Sequence, residues 1–180
     1  MNTKSKIVVL AIILMLCAAG ASAQSASGTL AVSATITGSI NMTFVSDGSG
    51  VALGGSGTNS ASLNFGSNVS AYGTFTGLGT TITRTYPDGS HFMIATPFDV
   101  KVVVANSSSP SCKLLAQLSN ADATNAWSVS GTTVTSTAAA TINTAQSYGS
   151  AVPYQMQLTI PLTEAATTVS NTMNFTATAN

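Results

Sequence analysis

Alternation of apolar and polar side chains with a period of two is the feature that most restricts the fold of this sequence. The segment TLAVSATITGSINMTF shows it best: seven even positions between residues 30 and 44 are apolar, and the odd positions are mostly Ser, Thr or Asn. This spacing places the apolar side chains on one face of a β-strand, and no helix produces it. Gly38, the one gap in the pattern, predicts a bend or bulge, because an unbroken strand of this length would overrun a small domain.

Similar alternation elsewhere predicts an all-β fold. It recurs at residues 61–65, 98–104, 154–160 and 173–179, and turn-forming clusters separate the runs. The best hairpin turn is Pro87-Asp88-Gly89-Ser90, in which Gly89 is expected to supply a positive φ. The weakly patterned stretch 134–147 is expected to be a long loop or an edge. We expect a single antiparallel β-sandwich, immunoglobulin-like or pilin-like, with about nine to eleven short strands.

Residues 1–23 predict a secretory signal peptide. Lys4 and Lys6 precede an apolar run at 7–19, and Ala21-Ser22-Ala23 has the small-x-small form that a signal peptidase recognises. The apolar run is shorter than the ~20 residues that span a bilayer. We expect cleavage near the Ala23-Gln24 bond and one domain over residues 24–180 with no transmembrane segment. The mature protein is then secreted, periplasmic or located at the cell surface.

The low number of charges excludes several classes of function. The chain has five Lys or Arg and five Asp or Glu among 180 residues. Signal cleavage leaves only Arg84, Lys101 and Lys113 as cations, with a formal charge of −2. Three cations cannot neutralise the phosphates that a nucleic-acid partner would present, so no nucleic acid is expected to bind.

The titratable residues predict no catalytic, cofactor-binding or metal site. His91, the only histidine, lies next to Asp88 and Ser90 in sequence. Catalytic triads assemble from separate elements, so we interpret His91 as a residue at the start of a strand. One His and one Cys are too few for zinc, and Asp47 in SDGSG lacks the acidic spacing of a calcium loop. We therefore expect no enzymatic activity; a secreted hydrolase would require His91 beside another catalytic group in a pocket.

Cys112 and the large aromatic residues have structural and functional interpretations. Cys112 alternates with Leu114 and Ala116, which predicts a small buried side chain; an intermolecular disulfide or a reactive thiol are the alternatives. Trp127 is expected in the core. A role as a sugar platform is the alternative for Trp127. Tyr72, Tyr148 and Tyr154 are comparable to Trp127 in both respects, and Tyr148 is the one expected on a loop.

Four features give the chain a recognisable pattern. They are the signal peptide, the opening alternating strand, LNFG at residues 63–66 and the closing NTMNFTATAN. The chain resembles the secreted bacterial pilin-like and spore-coat-U-like β-sandwich proteins. The resemblance implies a structural subunit of a surface appendage or coat, whose partners are copies of itself or other surface subunits. It also implies assembly by donation of an extended strand, with donor positions at Leu30, Val32, Ala34 and Ile36. The alternative is that residues 29–37 pair within their own sheet.

A second function remains open alongside the structural subunit. A monomeric, secreted glycan- or ligand-binding module would carry two or three solvent-facing aromatic side chains on one surface. A strand-donating subunit would instead leave an apolar strand uncovered in the monomer. These two features distinguish the hypotheses.

Overall fold

The computed structural model describes residues 29–67, 69–73, 82–165 and 167–180. The predicted signal peptide lies outside these residues. The described residues belong to two separate units, divided between Thr35 and Ile36. In the first unit, residues 29–35 belong to no strand and their side chains are exposed.

The described part of the second unit contains nine strands and no helix. The strands are β1 (Ser39–Val45), β2 (Thr83–Thr85), β3 (His91–Ala105), β4 (Cys112–Leu118), β5 (Ala126–Val129), β6 (Thr132–Val134), β7 (Ala140–Gln146), β8 (Ala151–Pro161) and β9 (Met173–Ala179). They form two antiparallel sheets. The all-β prediction is therefore confirmed.

The larger sheet is built around β3. Its strand order is β1-β3-β8-β5-β6, β2 also pairs with β3, and the sheet is strongly curled. The smaller sheet has the order β7-β4-β9. The expected edge position of the 134–147 stretch is confirmed, because β7 lies at one edge of the smaller sheet.

β3 is much longer than the short strands that the sequence predicts, because two partners share one of its sides. Its first half pairs with β2, with Thr85 opposite Met93, and its second half pairs with β1, with Val45 opposite Asp99. Its other side pairs with β8 over eleven positions. Alternate β3 residues are buried as the sequence pattern predicts, with Phe98, Val100 and Val102 facing the core.

The opening alternating segment forms a strand over only half of its length. β1 begins at Ser39, directly after Gly38, so this glycine marks the start of the strand and not a bend within it. A Cβ atom at Gly38 would lie 3.0 Å from the backbone oxygen of Asn106. Residues 61–65 form no strand either, although Ser62 makes an isolated bridge with Gly54.

The predicted hairpin connects β2 and β3, but its turn is not built by glycine as expected. Gly89 does not have a positive φ. The Asp88 carboxylate instead accepts a hydrogen bond of 2.7 Å from the backbone N–H of Ser90. This side-chain-to-backbone bond takes the role that the sequence prediction gave to a left-handed glycine.

The apolar core contains residues of both sheets. Leu114 and Ala116 of β4 are packed with Val100, Val102 and β8 residues of the larger sheet. Cys112 is fully buried, which confirms its predicted place in the core. A thiol in this position cannot reach another chain without unfolding of the core, and burial also raises its pKa.

A buried polar network connects β3, β7 and β8 within this core. The Tyr154 hydroxyl donates to Gln146 Oε1 at 2.8 Å and accepts from Asn143 Nδ2 at 3.0 Å. Gln146 Nε2 donates to the Val100 backbone oxygen at 3.0 Å. Gln146 is only 1% exposed, so water cannot replace these partners. The network therefore joins the edge strand β7 to the larger sheet.

We expect Tyr154→Phe to lower the free energy of unfolding by about 1–3 kcal/mol, because it leaves the buried Gln146 amide oxygen without its donor. Urea unfolding at neutral pH measures this change. Tyr148→Phe is the matched control, since its hydroxyl donates to the Ser111 backbone oxygen at a half-buried site. Equal losses in the two variants would contradict a special role for the buried network.

Candidate functional site

An apolar groove of about 1070 Å³ opens in the unit that contains the strands. Both sheets contribute to its walls: Phe44, Phe98 and Trp127 from the larger sheet, and Leu118 and Phe175 from the smaller one. The chain segments before β2 and before β9 line the rest. This volume lies at the upper end of the range of ligand pockets, which is about 300–1,000 Å³. The groove is thus large enough to hold a ligand or a segment of chain.

Aromatic side chains from the two walls of the groove contact each other. Phe175 of β9 makes edge-to-face contacts with Phe44 of β1 and Phe98 of β3, at centroid distances of 5.3 and 5.9 Å. Phe98 also lies 6.1 Å from Tyr154. Phe44 and Phe175 are only partly buried. Some of their apolar surface is therefore still available to an occupant.

The smaller sheet has an open backbone edge on β9. Ser119 N–H donates to the Thr172 oxygen, and Asn180 N–H donates to the Ser111 oxygen. In an antiparallel pair the direction of the backbone groups alternates. Because Thr172 and Asn180 bond toward β4, the odd-numbered residues between them direct their N–H and C=O groups away from β4. These residues are Met173, Phe175, Ala177 and Ala179. Within the described ranges β9 has no second partner strand.

The neighbouring edge of β1 is covered only near its end. Phe44 N–H donates to the Thr58 oxygen, and Phe44 C=O accepts from Gly57 N–H. The same alternation turns the backbone groups of Ile40 and Met42 away from β3. No strand among the described residues pairs with them on that side. Both strands that carry Phe44 and Phe175 thus present backbone groups that a further strand can use.

The four predicted donor positions lie in a segment that belongs to no sheet. Leu30, Val32 and Ile36 are 87%, 83% and 75% exposed, and Ala34 is exposed as well. Residues 29–38 carry no strand, so pairing of 29–37 within their own sheet is not observed. Their role as a donor strand stays a prediction.

Asp88, Ser90 and His91 come together as a local cluster at the hairpin. His91 is the first residue of β3, which confirms its predicted place at a strand start. Its Nδ1 lies 2.9 Å from both the Ser90 hydroxyl and the Asp88 carboxylate. A triad requires the carboxylate and the nucleophile on opposite ring nitrogens, so this arrangement cannot relay a proton from Ser90. The hydrogen bond from His91, followed by those from Ser90, lowers the pKa of Asp88 well below its usual value.

Two further carboxylates lie close together beyond the end of β1. Hydrogen bonds from the Ser49 hydroxyl and backbone lower the pKa of Asp47. Burial, followed by the charge of Asp47, raises the pKa of Asp99. Asp99 Oδ1 is buried and has no hydrogen-bond partner among the described residues. In that part of the chain no third ligating side chain completes a metal-binding group with them.

Trp127 lies in the core, as predicted, and forms part of the groove wall. Its indole Nε1 donates to Asp122 Oδ2 at 2.8 Å. Burial alone would raise the pKa of Asp122, but hydrogen bonds from Asn125, Trp127 and Thr124 together lower it. The ionised carboxylate therefore holds the indole in place, and the fold favours the ionised form.

The Asp122 carboxylate predicts a loss of stability in acid. Because its pKa is lower in the folded than in the unfolded protein, its contribution is complete above about pH 4 and is lost as the pH falls through the folded value. We expect Asp122→Asn to cost about 1 kcal/mol at pH 7 and to reduce the slope of stability against pH below 4. Chemical unfolding, followed by Trp127 fluorescence at several pH values, measures both effects. An unchanged slope would show that this carboxylate does not contribute to acid unfolding.

The aromatic residues that the sequence singled out have different positions. Tyr154 is buried, and Tyr148 is on a loop as expected, where its hydroxyl bonds to the Ser111 oxygen. Tyr72 is 72% exposed and lies beside Tyr86, which is 49% exposed and which the sequence analysis missed. No local signal separates Tyr86 from a core residue, because its exposure depends on how the 70–73 segment packs.

Comparisons with protein-family models, with curated proteins and with solved structures found no match. The resemblance to pilin-like and spore-coat-U-like proteins therefore rests on the sequence pattern alone. No helix long and apolar enough to cross a bilayer is present in the described part of the chain.

Proposed function

We propose that the protein is an exported, non-enzymatic structural subunit of a bacterial surface appendage or coat. Copies assemble when residues 29–37 of one chain are donated as a strand to another copy. The exposure of Leu30, Val32 and Ile36 is the observation that carries this proposal. Three large aliphatic side chains on alternate positions of one segment are costly to leave in water, since burial of each is worth about 1.5–3 kcal/mol.

The groove supplies a suitable acceptor for this segment. The alternate aliphatic side chains would enter the apolar space beside Phe44 and Phe175, while the backbone would pair with the open edge of β9. The donated strand would complete a pilin-like sandwich from the two sheets. Backbone pairing gives affinity and the apolar pockets give register, so the two features act together.

The low charge of the mature chain suits a subunit that packs against its own copies. With only three cations and five carboxylates, few ionic groups would be buried without a partner in an assembly. The geometry at Ser90 and His91 supports a non-enzymatic role, because both the hydroxyl and the Asp88 carboxylate use the same ring nitrogen. The predicted signal peptide supports export, and the final location is secreted, periplasmic or at the cell surface.

Val32→Asp tests the donor strand directly. We expect the wild-type mature protein to form multimers, visible as a ladder on unheated denaturing gels that collapses on boiling. A buried carboxylate in the groove would be strongly unfavourable, so Val32→Asp should be monomeric. Size-exclusion chromatography with light scattering gives the masses. Ser33→Asp is the matched control: it adds the same charge to the opposite face and should still assemble.

A wild-type protein that remains monomeric at all concentrations would contradict native self-assembly and favour the monomeric binding module. Equal assembly of the Val32→Asp and Ser33→Asp proteins would show that residue 32 does not enter an apolar site. Only the loss of multimers in Val32→Asp alone agrees with the proposal.

A peptide with the sequence of residues 29–38 tests the acceptor groove separately. The Val32→Asp protein keeps its groove but cannot donate, so we expect it to bind the labelled wild-type peptide with 1:1 stoichiometry. Fluorescence anisotropy measures the binding. The same peptide with Asp at position 32 is the control and should bind at least tenfold more weakly. No difference between the peptides would contradict side-chain insertion into the groove.

A further inference from the structure

Tyr72 and Tyr86 form an exposed aromatic pair outside the groove. Their ring centroids are 6.4 Å apart and the ring planes differ by 24°. Tyr72 is 72% exposed and Tyr86 is 49% exposed. The two rings are thus nearly parallel, and neither is covered from solvent. Aromatic surface of both rings is therefore open to solvent on one part of the molecule.

Hydrogen bonds hold the two tyrosines in position. Arg84 of β2 donates from Nη1 to the Ser70 oxygen at 2.7 Å and from Nη2 to the Gly73 oxygen at 2.9 Å. The Tyr86 hydroxyl donates to the Ala71 oxygen, and the Ser70 hydroxyl donates to the Tyr72 oxygen at 2.8 Å. The segment that carries Tyr72 is thus tied to the strand that leads into Tyr86. This order reduces the entropy that a ligand would have to remove on binding.

We propose that the Tyr72–Tyr86 pair binds a neutral oligosaccharide. The face of an aromatic ring is electron-rich, and the C–H groups on the face of a pyranose ring carry partial positive charge, so the two stack. Two neighbouring, nearly parallel rings that are both exposed can each contact one unit of an oligosaccharide. The Tyr72 hydroxyl has no hydrogen-bond partner within the described residues and can bond to a sugar hydroxyl.

The surroundings of the pair disfavour other ligands. Arg84 places a positive charge beside the rings, which opposes a cationic ligand that would otherwise stack on them. A nucleic-acid strand could also stack on tyrosines, but the whole chain has only five Lys or Arg residues, too few to neutralise its phosphates. A hydroxyl-rich sugar ring suits the aromatic faces, and its hydroxyl groups can bond to polar groups nearby without a compensating charge.

This site does not depend on the proposed assembly. The tyrosines lie outside the donor segment and do not line the groove. A subunit could therefore assemble through residues 29–37 and bind glycans through the aromatic pair. Failure of one activity would leave the other intact, and the experiment below separates them.

Titration with trisaccharides tests the proposal. Cellotriose, chitotriose, mannotriose and galactotriose are added to the mature protein, and binding is followed by saturation-transfer NMR and calorimetry. We expect at least one to bind, and Tyr72→Ala and Tyr86→Ala each to weaken its binding at least tenfold. Tyr72→Phe keeps the stacking face and should lose less than Tyr72→Ala. Val103→Ala, which changes an exposed apolar side chain on β3, is the control and should bind normally.

Val32→Asp should bind the same trisaccharide as wild type, which keeps the outcome independent of assembly. Circular dichroism confirms that each variant is folded. Absence of binding to all four trisaccharides, or equal binding by wild type and both alanine variants, would overturn the proposal. Loss of multimers in the folded alanine variants without loss of sugar binding would also overturn it, because the pair would then be a contact between copies.

Discussion

The backbone pairing of β3 with three other strands is the interaction on which the described fold depends. β1 and β2 share one side of β3, and β8 occupies the other side along most of its length. With so few charged residues, ion pairs contribute little to this arrangement. Hydrogen bonds of the main chain and the alternating apolar face of β3 therefore position the groove walls, including Phe98 and, through β1, Phe44.

The two edge strands of the smaller sheet, β7 and β9, differ in how they are attached to the rest of the fold. β7 is also an edge strand, but the Gln146 side chain reaches from it to the Val100 oxygen and the Tyr154 hydroxyl. β9 has no comparable polar link among the described residues and instead contributes Phe175 to the ring contacts. One edge is thus fixed by buried polar contacts, while the other is apolar and presents unpaired backbone groups.

Segments with alternating apolar and polar residues form strands in this protein only where another strand pairs with them. The alternation identified β1, β3, β8 and β9. Alternate residues are buried along much of β3 and β8, whereas β1 and β9 are only partly buried. The alternation also marked residues 30–36 and 61–65, which have the same pattern and form no strand. Side-chain period is a local property, whereas strand formation requires another strand in register, and the sequence does not reveal that partner.

The candidate sites were less predictable than the strands for a related reason. The exposure of Tyr72 and Tyr86 results from Arg84 and Ser70 holding a loop on β2, and the pair is fourteen residues apart in sequence. The sequence analysis did not identify Gln146, whose partners come from β3 and β8. The hairpin at Asp88 was predictable because all of its contacts are local. Polar side chains with distant partners leave no such local signal.

The burial of Cys112 gives the core a chemical reporter of its own motions. Its thiol lies on β4 between β7 and β9 and donates a hydrogen bond to the Gln146 oxygen. A thiol reagent in the solvent can modify it only when the smaller sheet separates from its neighbours, so the labelling rate counts opening events. A strand bound in the groove would make such openings of the smaller sheet less frequent. The rate of Cys112 alkylation then measures how tightly the two sheets are held together.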